Sequence, residues 1–435
     1  MISGYRMEDE IQKDPGKILH RGVREADGLQ VVIKSSPKRG MSVEEIDRFK
    51  REYDLLQDLD TQGVASVCEL RDEVDSFSLV MEHISGEPLR RLIDTRQMTL
   101  LECLQMAVQL SGVVAALHRG NVIHKNLNPA DIFWDAGSSQ VTLCGFEYAS
   151  TLLHSTQSIE SPAVPEGSLA YISPEQTGRM NRSVDYRTDL YSLGITFYEM
   201  WTHQVPFPAD DPMEVVHSHL ARKPMLSCEV NPDIPEVLSE IVMKLLEKNA
   251  EDRYQSAGGL QADLQYCLDQ FQSAKRIEPF EIGSVDYSDA LQIPEKLYGR
   301  EREIEVLFDT YEEVHTGQAV LLLVAGYSGV GKTSLIQEIQ KPILAKRGFF
   351  VSGKFDQFTR NIPYAALVSA FQELARKILT ETDEQIAQWK YRLQGALGIN
   401  GRVITDIIPE VAFIIGEQPE VPVLSPEAAQ NRFHL

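Results

Sequence analysis

The sequence is short of positive charge: its 435 residues carry 42 Lys and Arg against 64 Asp and Glu, a formal net charge of −22 at pH 7. Without surplus cations there is no counterion release to drive binding to a phosphate backbone or an anionic bilayer. Neither nucleic acid nor membrane is therefore an expected partner. Cysteine is scarce as well. Cys68, Cys103, Cys144, Cys228 and Cys267 are scattered and form no CxxC, which excludes a disulfide scaffold and leaves reduced packing residues. No apolar run approaches the roughly 20 residues that cross a bilayer; the longest is Ala319 to Ala325. The opening MISGYRMEDE has no signal-peptide core, so a cytoplasmic location is expected. His217 and His219 form an HxH without a third ligand nearby and read as a solvated helix face. There is no internal repeat.

What is present is globular, with 43% hydrophobic and 24% charged residues. The length suits two or three domains with cores of their own. GLQVVIK at 28–34 and FSLVME at 77–82 read as strands, and MSVEEIDRFKREYDLLQDL between them has helical spacing through Ile46, Phe49, Tyr53 and Leu56. Beyond residue 88 the period is helical, in LLECLQMAVQLSGVVAALH, DLYSLGITFYEMW and EVLSEIVMKLLEKN. The pattern gives a strand-rich lobe over 1–82, a helical lobe over 88–272 and a linker without period over 273–298. After it come a helix in GREREIEVLFDTYEEV, a fully buried strand in VLLLVAG and a helix in SLIQEIQ, the opening of an α/β nucleotide-binding domain.

Gly326 to Thr333 fits GxxxxGK[ST] between that strand and that helix. Gly326, Gly329 and Gly331 let backbone N–H groups approach phosphates, Lys332 reaches the β and γ oxygens, and the Thr333 hydroxyl can hold Mg²⁺; Ser334 follows in the first turn. The helix N-terminus adds its dipole. Hydrolysis also needs an acid at the end of a second buried strand. Only VITD, ending at Asp406, and AFIIGE, ending at Glu417, come near, and both suit helix and loop better. The domain over 299–435 is expected to stop before that acidic motif.

The first half, about 5–272, resembles the eukaryotic-like serine/threonine protein kinases. VVIK places Lys34 at the family's phosphate-holding lysine, and REYDLL places Glu52 at its partner glutamate. LVMEHI resembles the hinge, with Met81 as gatekeeper and the backbone of Glu82 and Ile84 facing adenine. Ser173-Pro174-Glu175 stands for the motif closing the activation segment, Asp189 for the scaffold aspartate, and Arg253 for the arginine that pairs with Glu175. The resemblance implies a bilobal kinase-like fold, α+β then mainly α, followed by a partial P-loop NTPase domain, with ATP and Mg²⁺ as cofactors.

The departures fall on the chemistry. The catalytic loop reads His124-Lys125-Asn126-Leu-Asn128-Pro129-Ala-Asp131, so Asn126 replaces the catalytic aspartate and Asp131 the metal-binding asparagine. The metal-holding DFG reads Gly145-Phe146-Glu147, and DPGKILHRG supplies only Gly16 and Gly22 where a glycine-rich loop belongs. Losing a positioned base removes on the order of 10²–10⁴ in rate, and losing the carboxylate at 145 unseats the metal; Asp131 could still bind one Mg²⁺, with Glu147 in reach. The serines and threonines between Tyr148 and Glu175 read as ordinary loop.

GSLAYISPEQTGRMNRSVDYRTDLYSLGITFYE, AEDRYQSAGGLQADL, KLYGRE, LVAGYSGVGKTSL and GKFDQFTRNIPY together resemble large bacterial signalling proteins. In that group a kinase-like domain precedes an AAA/STAND-type ATPase, and GAF and histidine-kinase modules commonly follow. The resemblance implies signalling, with signalling proteins as partners, a histidine-kinase module among them; because this chain departs from the group at Asn126 and Gly145, the first expectation is a regulatory pseudokinase beside a nucleotide switch. The alternatives are a slow kinase working through Lys34 and Asp131, and a truncated product without a role of its own.

Overall fold

The computed structural model describes residues 2–14, 17–38, 41–96, 98–151, 168–177, 184–209, 211–287, 299–315, 317–327, 330–339, 343, 348–353, 364–379, 383–416 and 418–419. They fall into two compact units, Met1–Ile339 and Gln340–Leu435.

The first unit opens with an antiparallel sheet of β1 (Tyr5–Asp14), β2 (Lys17–Arg24), β3 (Gln30–Pro37), β4 (Val67–Asp72) and β5 (Ser76–Glu82), in the order β1-β2-β3-β5-β4. Alternation sorts β3: Val31 and Ile33 join Ile2, Tyr5 and Val80 on one face, while Val32 joins the main core on the other. Lys34, two residues on from Val32, shares its face. Helix α1 (Val43–Asp58) packs there. Ser42 Oγ accepts from Glu45 N and the Glu45 carboxylate accepts from Ser42 N, a capping box that contributes about 1 kcal/mol.

The helical lobe begins with β6 (Glu87–Pro88), α2 (Leu89–Thr95) and α3 (Leu100–Arg119). By length and composition α3 could cross a membrane, but Leu104, Ala107, Leu110, Val114 and Leu117 are buried in the lobe's core. β7 (Val122–Ile123) pairs with β10 (Ser150–Thr151), and β8 (Ile132–Asp135) pairs with β6 and with β9 (Gln140–Leu143). Helices α4 (Arg187–Thr202), α5 (Pro212–Ala221), α6 (Ser227–Val230), α7 (Glu236–Leu245) and α8 (Ala257–Ala274) complete the lobe. All five cysteines are free thiols.

Three expectations need correction. His219 is buried, not solvated: α5 turns it inward, where its Nδ1 lies 3.0 Å from Tyr191 Oη and its ring meets Phe207 edge-on. The segment expected to be a linker is in part a strap on the helical lobe. Ile277 is buried, Phe280 meets Tyr266 at 4.8 Å, and Asp286 accepts from Gln255 N and Ser256 Oγ, at 2.5 and 2.8 Å, beside the start of α8. Residues 288–298 lie outside the described residues. Finally, 320–325 forms no strand, and Leu321 and Leu323 are 85% and 82% exposed. A parallel strand is defined by the ladders on its flanks, and no strand pairs with this run among the described residues. The expected helices to either side do form, as α9 (Glu301–His315) and α10 (Lys332–Gln337).

The second unit is helical where described: α11 (Ala365–Ile378), α12 (Asp383–Leu397), α13 (Gly401–Ile407) and α14 (Pro409–Ile415), around Ala375, Ile378, Ile408, Val411, Ile414 and Ile415. Asp406 sits in α13, ion-paired with Arg402 at 2.9 Å, as its sequence context suggests. Glu417 lies outside the described residues.

Candidate functional site

The site is the cleft between the sheet and the helical lobe. β3 carries Lys34 to its floor, where its Nζ lies 3.0 and 2.7 Å from the two carboxylate oxygens of Glu52 on α1. Glu52 also accepts from Phe146 N at 3.0 Å, which fixes α1 against the segment after β9. Both side chains are buried. Removing one partner of such a pair costs about 3–5 kcal/mol, because it strands the other charge.

Glu147 completes the cluster. One of its oxygens accepts from Lys34 Nζ, the other from Lys17 Nζ on β2 at 2.8 Å. Burial opposes the charged forms here, and the opposite charges outweigh it: Lys34 is raised by Glu147 and Glu52, and Glu147 is held well below the usual carboxylate range by Lys34 and Lys17. At Glu52, burial outweighs the pull of Lys34, and its carboxyl is raised.

Asp131 and Gly145 face each other. Gly145 has φ +82°, and a Cβ there would stand 2.6 Å from both Asp131 oxygens, so the aspartate fills the space a side chain at 145 would enter. Asn128 Nδ2 donates to Asp131 Oδ2 at 2.6 Å. Burial raises the Asp131 carboxyl, with partial relief from Lys17. Asn126 is held by its surroundings: its Oδ1 accepts from Ser168 N at 2.9 Å, and its backbone carbonyl accepts from Asn128 Nδ2 at 2.9 Å.

Asp189 organises this loop from below. It accepts from His124 N at 2.9 Å, Lys125 N at 2.8 Å and His118 Nε2 at 2.9 Å. The Arg253–Glu175 pair braces the lobe, doubly bonded at 2.7 and 2.8 Å. Met81 closes the back of the cleft from β5, opposite Val32. At the hinge Glu82 N donates to Ser66 O, and Ile84 is buried with its carbonyl accepting from Arg21. The cavity beside Met81, Lys34 and Cys144 measures about 20 Å³, room for about one water, while the groove outside it measures about 740 Å³.

The cleft offers few ligands for the Mg²⁺ that the resemblance implies. Asp131 brings one carboxylate, Gly145 none, and Glu147 is engaged by two lysines. No group of three or more His, Cys, Asp or Glu suited to a metal gathers among the described residues. In the phosphate-binding loop, Gly331 has φ +89° at the start of α10, Lys332 Nζ donates to the carbonyls of Gly326 and Tyr327 at 2.9 and 2.8 Å, and Thr333 is exposed. Gly329, Gly16 and most of the activation segment (152–167) lie outside the described residues, and Ser334 is described by its backbone alone.

The sequence reading brought Lys34, Glu52 and Asp131 to one cleft, as found. It missed Lys17 and the hold of Asn128 on Asp131. A lysine directly after Gly16, where a phosphate-gripping loop belongs, was the available signal for Lys17.

Comparison with known proteins agrees with this geometry. Residues 16–264 match the protein kinase domain family, and residues 296–435 match the AAA ATPase domain family. Hybrid signal transduction histidine kinase G of Dictyostelium discoideum is 40% identical over 285 residues, 61% of this chain and 8% of that protein. Histidine protein kinase 1 of Candida albicans is 26% identical over 399 residues, 82% of this chain and 16% of that protein. Serine/threonine-protein kinase PknB of Mycobacterium tuberculosis is 30% identical over 222 residues, 50% of this chain and 35% of that protein. The chain thus spans only 8% to 35% of these relatives' lengths. With more than half its length matched, the chain belongs to the protein kinase family, its kinase domain followed by an AAA-type ATPase domain.

Proposed function

We propose that this is an ATP-binding signal-transduction protein of the cytoplasm, in which a kinase domain with impaired or absent phosphotransfer regulates, or is regulated by, the nucleotide state of the P-loop domain beside it. The observation that carries the reading is Asn126. At the position of the catalytic base stands an amide whose oxygen accepts from the Ser168 backbone; it offers no carboxylate to take a hydroxyl proton. Gly145 supports the same reading, since it brings no metal ligand. The matched stretches of two histidine kinases support a place in signalling, with a histidine-kinase module among the partners.

A second reading, a slow serine/threonine kinase, is favoured by the intact Lys34–Glu52 pair and by Asp131 in the cleft. Transfer from γ-labelled ATP, in Mg²⁺ and in Mn²⁺, separates the two. The assay uses Lys332→Ala protein, with and without Lys34→Met. No label on the protein or on a basic substrate, with ATP still raising the melting temperature, is the expected result. Labelled serine or threonine that disappears with Lys34→Met would establish the kinase instead.

A further inference from the structure

Glu147 reaches across the cleft from the helical lobe to two lysines of the sheet, 113 and 130 positions away in sequence. Lys34 and Lys17 are the cations that line the inner cavity. A nucleotide's phosphates would meet them there, yet both already have a carboxylate partner. Together with Glu52 and Asp131 the floor holds three carboxyl groups against two lysines, while Lys13, Arg48 and Arg90 line the outer groove and not the inner cavity. An entering phosphate must displace Glu147 from both lysines or bring a cation of its own. An uncharged purine nucleoside brings no phosphate to compete for these lysines, and the cavity offers it the apolar side chains of Ile18, Leu19, Met81 and Ala130.

From this geometry we propose that Glu147 is the ligand-selecting residue of the kinase cleft: a built-in competitor for phosphate that turns the site toward nucleosides and against metal-free nucleoside triphosphates. The inference rests on the nucleotide reading of the cleft and names the ligand class that the cleft takes. Specificity here is a difference of two affinities, with the disfavoured ligand rejected by a charge already in place. The same contact ties the two lobes together through Lys34 and Lys17.

The test is calorimetric titration of the full chain carrying Lys332→Ala, with ATP and with adenosine, in EDTA and again in Mg²⁺. Glu147→Gln is compared with the parent, and Glu147→Asp provides a second variant that keeps the charge while shortening its reach. In the parent, adenosine binds at least as tightly as metal-free ATP. Glu147→Gln shifts the ATP-to-adenosine affinity ratio at least 10-fold toward ATP in EDTA, and Glu147→Asp shifts it less, in the same direction. An unchanged ratio overturns the proposal. So does a ratio that falls in Mg²⁺ with Glu147→Gln, which would make Glu147 a metal ligand. If neither ligand binds parent or variants, the nucleotide reading of the cleft fails first, and the proposal falls with it.

Discussion

Arg253 holds Glu175 with both terminal guanidinium nitrogens, at 2.7 and 2.8 Å, in a pair shut off from solvent. Arg253 also donates to the carbonyls of Glu247, Lys248 and Arg187. It therefore joins the end of the activation segment to α4 and to the turn before α8. Glu175→Gln leaves the guanidinium buried with a weaker acceptor. We expect a loss of about 3–5 kcal/mol, read as a lower urea midpoint, whereas exposed Arg6→Ala should change it by less than about 0.5 kcal/mol.

Lys34→Met should destabilise the kinase domain without ATP by about 3–5 kcal/mol, since it strands the buried Glu52 charge, and Glu52→Gln should cost less. Glu147 can still neutralise Lys34 when Glu52 is lost, and Lys17 can still neutralise Glu147 when Lys34 is lost. A double-mutant cycle should accordingly show non-additivity above about 0.5 kcal/mol. Strict additivity would mean that the cluster is not one network.

His219 and Lys248 predict the pH dependence of stability. Burial, helped by Lys248, lowers His219 from 6.5 to about 3, and burial, helped by Arg253, lowers Lys248 from 10.5 to about 7. Between pH 6.5 and 3 the unfolded chain takes up a proton that folded His219 refuses, so stability falls as pH falls through that window. Between pH 10.5 and 7 the same holds for Lys248. Each contribution is on the order of a few kcal/mol. Denaturation curves at stepped pH should show His219→Gln flattening the acid slope and Lys248→Met the alkaline one.

Lys332→Ala should cost the unliganded protein less than about 1 kcal/mol, because the lost bonds to Gly326 and Tyr327 are exposed. Its effect should instead fall on ATP. In a Lys34→Met background, the melting shift produced by saturating ATP should vanish with Lys332→Ala. A shift that survives would place a nucleotide elsewhere.

How much of this was legible in the sequence depended on the range of the interaction. Helix α1 announces itself by its local period through Ile46, Phe49, Tyr53 and Leu56, and Lys34, Glu52, Asp189 and Arg253 stand in motifs whose order marks them. Glu147 was legible as a departure but not as a clasp, because its lysines come from strands that pair only in the fold. His219 was misread because an HxH on an isolated helix gives no sign that one side faces Tyr191 and Phe207. The strap escaped because Ile277, Phe280 and Asp286 dock singly, without a repeat that periodicity could detect.

Asp131 and Gly145 also constrain the paths by which this cleft can change in descent. Changing Gly145 to aspartate is a small step in the genetic code, but the new side chain would meet the Asp131 carboxylate at once. The Asp131 side chain would have to turn aside to admit it, and two carboxylates would then share one corner of the cleft. Positions 131 and 145 are therefore coupled, and a side chain at one cannot be exchanged as though the other were absent.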